Sequence, residues 1–234
     1  MDIRVYAEPA LLMEGCLTGT TAVVIDALRM TSVAATAVEH GCTGLMAVAE
    51  VNAARALARE TGALVGGERN ALPIKGFDFD NSPLAYTRER VGGRQLIMTT
   101  SNGTRAILAS ESAQRIVLGA FVNASAVART VRRSERLAIV CAGTLGAFTL
   151  EDALAAGAIL ERLRALGADM RLDDMGIAVS MLYDSAQADL HGALRQTVHY
   201  QRLEWIGAQA DLAYCMTLDA VSAVPELRED GWFA

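Results

Sequence analysis

Gln95–Ser110 reads QLIMTTSNGTRAILAS, and its reading sets the fold class for the rest of the chain. Leu96, Ile97 and Met98 form the apolar run of a buried strand. Thr99-Thr100-Ser101-Asn102-Gly103 is a polar, Gly-bearing exit, and from Thr104 onward Ile107 and Leu108 fall on one helical face. A strand that runs through such a turn into a helix points bare backbone N–H groups at one spot, together with the positive end of the helix dipole. That spot suits an anion, most often a phosphate. Four hydroxyls (Thr99, Thr100, Ser101, Thr104), the Asn102 amide and the Arg105 guanidinium gather within these few positions. Alone, the stretch also reads as a capped helix start after a β-turn. The recurrence of the design along the chain favours the binding reading.

Outward from this stretch, strands and helices alternate. Asp2–Ala7 and Ala22–Ile25 read as strands, the second ending on Asp26, and Thr31–His40 as a small-residue helix stopped by Gly41. Leu45–Val48 is a strand and Val51–Glu60 a helix. Ala63–Val65 is a strand that exits through Gly66-Gly67-Glu68-Arg69. Leu72–Asp80 reads as a loop, after which Asn81-Ser82-Pro83 opens a helix with Ser82 as its cap. Beyond the central stretch come strand Arg115–Leu118, helix Ala124–Val131 behind Asn123, and strand Leu137–Cys141 leaving through Ala142-Gly143-Thr144. Thr149 is placed to cap helix Leu150–Leu166, with Asp152 completing a capping box. From Asp173 the pattern is mostly helical, with one further strand signal at Ala220–Val224. The alternation predicts a layered α/β/α fold around a mostly parallel or mixed central sheet, as one domain over 1–234, with the helical C-terminal third packed on it.

Composition narrows the class. The 234 residues are 52% hydrophobic but only 5% aromatic, which implies an Ala/Val/Leu core of helices on a parallel sheet. The net charge is −6, Lys75 is the only lysine, and no basic stripe appears, so nucleic acid is not an expected partner. No apolar run approaches the roughly 18 residues of a membrane span. Cys16, Cys42, Cys141 and Cys215 have no C-x-x-C spacing and no signal segment precedes them, which predicts free thiols in the cytoplasm.

Familiar catalytic motifs are absent. Lys75 lacks the glycine spacing of a phosphate loop, no strand is followed by G-x-G-x-x-G, and no Gly-x-Ser-x-Gly elbow exists. In cysteine phosphatases an arginine lies six residues after the nucleophile. After Cys141 that position is Ala147, and the other cysteines fail too. Asp78-Phe79-Asp80 leaves no apolar strand, and His40, His191 and His199 form no zinc spacing, so a histidine-based mechanism is not expected.

What survives is a set of carboxylates, arginines and turn residues at the carboxyl ends of strands, where ligands of open α/β sheets sit. Asp26 precedes Arg29, which can fork onto two phosphate oxygens, and Thr31-Ser32 open a second helix N-terminus. Glu68, Glu151 and Asp152 offer oxygen ligands suited to Mg²⁺. Glu151 and Asp152 also read as ordinary first-turn acids.

At these same residues the chain resembles the 2-phosphosulfolactate phosphatase family, the ComB-like proteins of coenzyme M biosynthesis. The matching stretches are VVIDALRMTS (Val23–Ser32), GGER (Gly66–Arg69), KGFDFDNSP (Lys75–Pro83), TTSNGTRA (Thr99–Ala106), GAFVNASAVA (Gly119–Ala128) and CAGTLGAFTLEDALAAG (Cys141–Gly157). Met30 and Asp80 depart from the usual pattern. The resemblance implies a ComB-like domain and a Mg²⁺-dependent phosphatase that converts 2-phospho-3-sulfolactate to 3-sulfolactate and phosphate. A different small phosphate monoester, or binding of a phosphorylated metabolite without catalysis, remains the alternative. On this reading Asp26 and Arg29 are catalytic. Asp26, with Glu68 or the Glu151/Asp152 pair, holds the metal. Thr31, Ser32, Arg69, Asn81, Ser82, Thr99, Thr100, Asn102, Gly103, Thr104, Asn123, Gly143 and Thr144 bind the anionic substrate. Attack by water and transient phosphorylation of Asp26 both remain open. The apolar C-terminal helices either cap the sheet or pair two copies into a homodimer.

Overall fold

The computed structural model describes all 234 residues. In chain order its elements are β1 (Asp2–Tyr6), β2 (Thr21–Ile25), α1 (Met30–Glu39), β3 (Gly44–Ala47), α2 (Val51–Thr61), β4 (Leu64–Arg69), β5 (Leu72–Pro73), α3 (Arg88–Val91), β6 (Gln95–Thr99), α4 (Gly103–Ala109), β7 (Arg115–Gly119), α5 (Ala124–Val131), β8 (Arg136–Cys141) and α6 (Leu150–Ala165). The two-residue β9 (Arg171–Leu172) follows, and then α7 (Asp174–Ala186), α8 (Leu190–Leu194), α9 (Val198–Trp205) and α10 (Gln209–Cys215). No helix is long and apolar enough to cross a membrane.

The fold is layered α/β, but its strands divide between two sheets instead of joining one. The first has the order β7-β2-β8-β1-β9 with every pair parallel, and the second β3-β6-β4-β5, parallel except for β5. Side-chain alternation assigns the layers. Val23 and Ile25 of β2 face a core shared with α5, α6 and α7, while Ala22 and Val24 face the opposite way. There they meet α1 and α4, and across those helices lie Leu96 and Met98 of β6. Ile97 points out the far side of the second sheet, against Ala54 and Ala58 of α2. Strands covered on both faces must be apolar at consecutive positions, and all five residues of β2 are buried. The C-terminal helices pack onto the first core through Leu194, Tyr200, Leu203 and Leu212.

Several local expectations are corrected. Gly66-Gly67 is not an exit from the strand: β4 runs on to Arg69 and folds back as β5 through Asn70 and Ala71, both with left-handed φ. The glycine is needed for close approach, since a Cβ on Gly67 would lie 2.0 Å from the Thr99 carbonyl oxygen, at φ +138°. Pro83–Ala85 is a single 3₁₀ turn that Ser82 does not cap, because its hydroxyl donates to Asp211. Thr149 makes no cap bond to α6, and Asp152 turns away from its helix to other amides.

Ala220–Val224 forms no strand. It belongs to an extended tail that pairs with an outer strand of each sheet. Leu118 and Leu227 donate to Pro225 and Ile116 along β7, and Leu45 of β3 exchanges two hydrogen bonds with Phe233. An unpaired strand edge is a template for aggregation, and here the tail covers two of them. Phe233 is 1% exposed within the core between the sheets. Phe233→Ala is therefore expected to cost about 3–5 kcal/mol in urea unfolding. A cost within about 0.5 kcal/mol would show that the tail lies on the fold without securing it.

Candidate active site

The carboxyl ends of both sheets open on one polar cleft. Asp26 and Arg29 come from the β2–α1 connection, Glu68 from β4, Asn70 and Ala71 from the β4–β5 turn, Ser101 and Asn102 from the β6–α4 connection, and Thr144 and Leu145 from the loop after β8. Asn81 lies at one side. His199 and Arg202 of α9 complete the lining. Of the residues expected to be catalytic, to bind substrate or to hold metal, the cleft thus gathers Asp26, Arg29, Glu68, Asn81, Asn102 and Thr144.

The β2–α1 connection is a tightly closed loop. The Asp26 amide donates to Thr31 Oγ1, and Thr31 returns both its hydroxyl and its amide to the Asp26 carbonyl. Ser32 donates to the Ala27 carbonyl. Both hydroxyls are fully buried, so Thr31 and Ser32 shape the loop and are not presented to a ligand. The loop holds Arg29 at the floor of the cleft, where its side chain is 6% exposed and paired with the buried carboxylate of Asp211 on α10. The second Asp211 oxygen accepts from Ser82 at 2.6 Å. Ser82 therefore steadies the partner of Arg29 and does not line the cleft itself.

The stretch that decided the fold is similarly self-satisfied at most positions. Thr100 and Thr104 cap one another, each amide donating to the other's hydroxyl. Thr99 Oγ1 donates to the Ala49 carbonyl and accepts from Arg69, whose guanidinium is otherwise held by the Glu68 and Ala49 carbonyls. These four side chains, expected on the substrate, are engaged with the protein. The amides of Asn102 and Gly103 make no internal hydrogen bond. Gly103 must stay bare, because a Cβ there would lie 2.6 Å from Asp26 Oδ2. Asn102 accepts the Leu145 amide through its side chain, tying the rim loop to α4.

The four expected metal ligands separate into different roles. Asp152 is buried in the framework, with Oδ1 accepting from Ala27 and Oδ2 from Gly143. Burial, with Asp26 and Glu151 nearby, pushes its carboxyl well above the ordinary value against the pull of those amides. Asp152 and Gly143 thus brace the loops, and neither lines the cleft. Glu151 accepts from His199 Nδ1 at 2.7 Å, while its other oxygen, Oε2, is buried without a partner. Glu68 accepts from the Ala71 and Ser101 amides and faces the cleft beside Asp26. No three Asp, Glu, His or Cys side chains converge into a ready-made cage. Mg²⁺ does not require one, since one or two carboxylates with water and substrate phosphate satisfy it. The all-oxygen pair Asp26 and Glu68, with an unpartnered carboxylate oxygen behind, fits that ion.

Burial is the largest influence on Asp26, pushing its carboxyl up to about 6. His199 lowers it, while Glu68 and Glu151 raise it further. Cys141, by contrast, is enclosed in the core, and burial pushes its thiol far from nucleophilic use. Asn123 is also absent from the cleft. It lies fully buried at the end of β7, bonded to Ala120, Leu118 and Ala223 beneath the tail.

Three residues not anticipated from the sequence belong to this region: His199, Arg202 and Asp211. His199 sits one turn before Arg202 on α9, and Arg202 donates to the Asn70 carbonyl at 2.6 Å. No motif announces them. The available signal for His199 and Arg202 was a helix capped by Thr197, which is shared with ordinary surface helices, and Asp211 had none.

A model of the family described as 2-phosphosulpholactate phosphatase matches residues 6–230. A relative from Caldicellulosiruptor saccharolyticus, named a probable 2-phosphosulfolactate phosphatase, is 39% identical over 235 residues, spanning 97% of each chain. One of the same name from Caldanaerobacter subterraneus subsp. tengcongensis is 42% identical over 232 residues, covering 97% of this chain and 96% of its own. A third, from Gloeobacter violaceus, is 39% identical over 237 residues, with 99% and 97% covered.

The raised carboxyl of Asp26 makes a stability prediction. A folded-state value above the unfolded one gives stability that is full below the unfolded value near 3.8 and lost as pH rises through about 6. Without metal, Asp26→Asn should therefore be more stable than the wild type at pH 8, by on the order of 2–3 kcal/mol, and no more stable at pH 3.5. Chemical denaturation of both proteins in chelator across that range measures the difference. A gap that does not change with pH would contradict it.

Proposed function

The chain belongs to the 2-phosphosulpholactate phosphatase family, and we propose that its cleft hydrolyses the phosphate ester of 2-phospho-3-sulfolactate, giving 3-sulfolactate and phosphate. The supporting observation is the convergence of Asp26, Glu68, Arg29 and Asn102 in one cleft at the ends of two sheets, with Gly103 against Asp26 and the amides of Asn102 and Gly103 unpaired. Hydrolysis joins a water oxygen to phosphorus and breaks the bond from phosphorus to the C2 oxygen, which leaves with a proton. Charge gathers on the remaining phosphoryl oxygens as this happens.

Arg29 is fixed by Asp211 before substrate arrives, so its other N–H groups meet that charge without reorganising. The Asn102 and Gly103 amides offer two further donors. A carboxylate can only accept, so His199 donates through Nδ1 to Glu151, which leaves a lone pair on Nε2 to take a proton from the attacking water and pass it to the departing oxygen. Asp26 and Glu68 would hold Mg²⁺, which when bound neutralises phosphoryl charge. Direct attack by water and transient phosphorylation of Asp26 use the same arrangement, and acid-quenched enzyme carrying phosphate on Asp26 would mark the second.

The four cysteines are unpaired and three are buried, which supports work in the cytoplasm. Met181, Val198 and Trp205 are 67%, 84% and 85% exposed, which supports pairing of two copies. Light scattering tests that, with twice the chain mass expected and the single-chain mass counting against it.

The reaction itself is tested by phosphate release from 2-phospho-3-sulfolactate. Wild type with Mg²⁺ should release phosphate and chelator should stop it. Asp26→Asn should abolish turnover, and Arg29→Lys, which loses the fork, should lower it about 100-fold. Full activity in Asp26→Asn would remove that residue from the chemistry. Release from other small phosphate esters alone would reassign the substrate, and release from none would leave a metabolite-binding protein.

A further inference from the structure

We infer that Arg202 is the receptor for a second anionic group of the substrate, its sulfonate, at the mouth of the cleft; the inference rests on the reaction proposed above. Three basic side chains line the cleft, and two are already matched to carboxylates, Arg29 to Asp211 and His199 to Glu151. Arg202 has no carboxylate partner. Its one hydrogen bond goes to the Asn70 carbonyl, so a fixed guanidinium keeps most of its donors and its whole charge.

The cleft otherwise presents the carboxylates of Asp26 and Glu68, an unfavourable surface for an anion extending beyond its phosphate. Depth assigns the group. Arg29 is buried, whereas Arg202 is half-buried and tied to the exposed Asn70 at the tip of the β4–β5 turn. The substrate carboxylate sits on the carbon that bears the phosphate ester and stays close to the phosphoryl group. The sulfonate is one carbon further out, toward Arg202, and its oxygens suit a guanidinium fork.

The test compares 2-phospho-3-sulfolactate with 2-phospholactate, in which a hydrogen replaces the sulfonate, on wild type, Arg202→Met and Arg202→Lys. Wild type should prefer the sulfonated ester. In Arg202→Met the ratio of kcat/KM for the two esters should fall about 10- to 100-fold, carried by KM, with partial recovery in Arg202→Lys. An unchanged ratio overturns the inference, whether both esters fall together or neither does. Calorimetric binding of 3-sulfolactate reads the same contact without turnover. Wild type should bind it at least about 10-fold more tightly than Arg202→Met, and equal affinity overturns the inference even if the enzyme is active. Failure of wild type to release phosphate would instead count against the proposed reaction, and circular dichroism with matched thermal midpoints checks that the variants fold.

Discussion

A buried ion pair, Arg29 with Asp211, joins parts of the chain that are 182 positions apart. Arg29 comes from the β2–α1 loop, just before α1, and Asp211 from α10, and Ser82 fastens the same carboxylate from the start of a 3₁₀ turn. Two charges withdrawn from water give little net stability, because desolvation offsets their attraction. Either one alone in that setting is severely unfavourable. The pair therefore acts as a condition on assembly: the helical C-terminal third must seat on the sheets before the arginine of the β2–α1 loop is matched. The site and the packing of its most remote segment form together.

The same economy explains which polar residues face the cleft. A hydroxyl near a strand end has two fates, to close its own loop or to face a ligand, and nothing in residue type distinguishes them. Thr31, Ser32, Thr100 and Thr104 all take the first. Their inward bonds hold the loops rigid, so Asp26 and the Asn102 and Gly103 amides can stay exposed to one another's charge. Asp152 does for the β2 and β8 loops together what these hydroxyls do within a loop.

Legibility of the sequence follows from this. Strands covered on both faces show as unbroken apolar runs, so β2, β6 and β8 were plain, as was the exit residue of each. Asp26, Glu68 and Asn102 could be placed together by one topological rule. Asn123 obeys the same rule yet lies elsewhere, because β7 is an outer strand whose end is roofed by the tail. That two sheets form instead of one was hidden, since the alternation of strands and helices is identical in either arrangement. His199, Arg202 and Asp211 were illegible for a different reason. Helices α9 and α10 carry no motif, and only tertiary packing decides which of their polar faces meets water and which meets the cleft.

The tail along β7 and β3 has a consequence for how the molecule is made. Residues 225–233 come off the ribosome after every strand whose backbone they satisfy. Until then β7 and β3 offer free amides and carbonyls to any neighbouring nascent chain, during the interval when sister copies are most crowded on one message. Synthesis speed over the helical third thus sets how long two sticky borders stay open, and slow translation there exposes the chain to misassembly that the finished protein no longer permits.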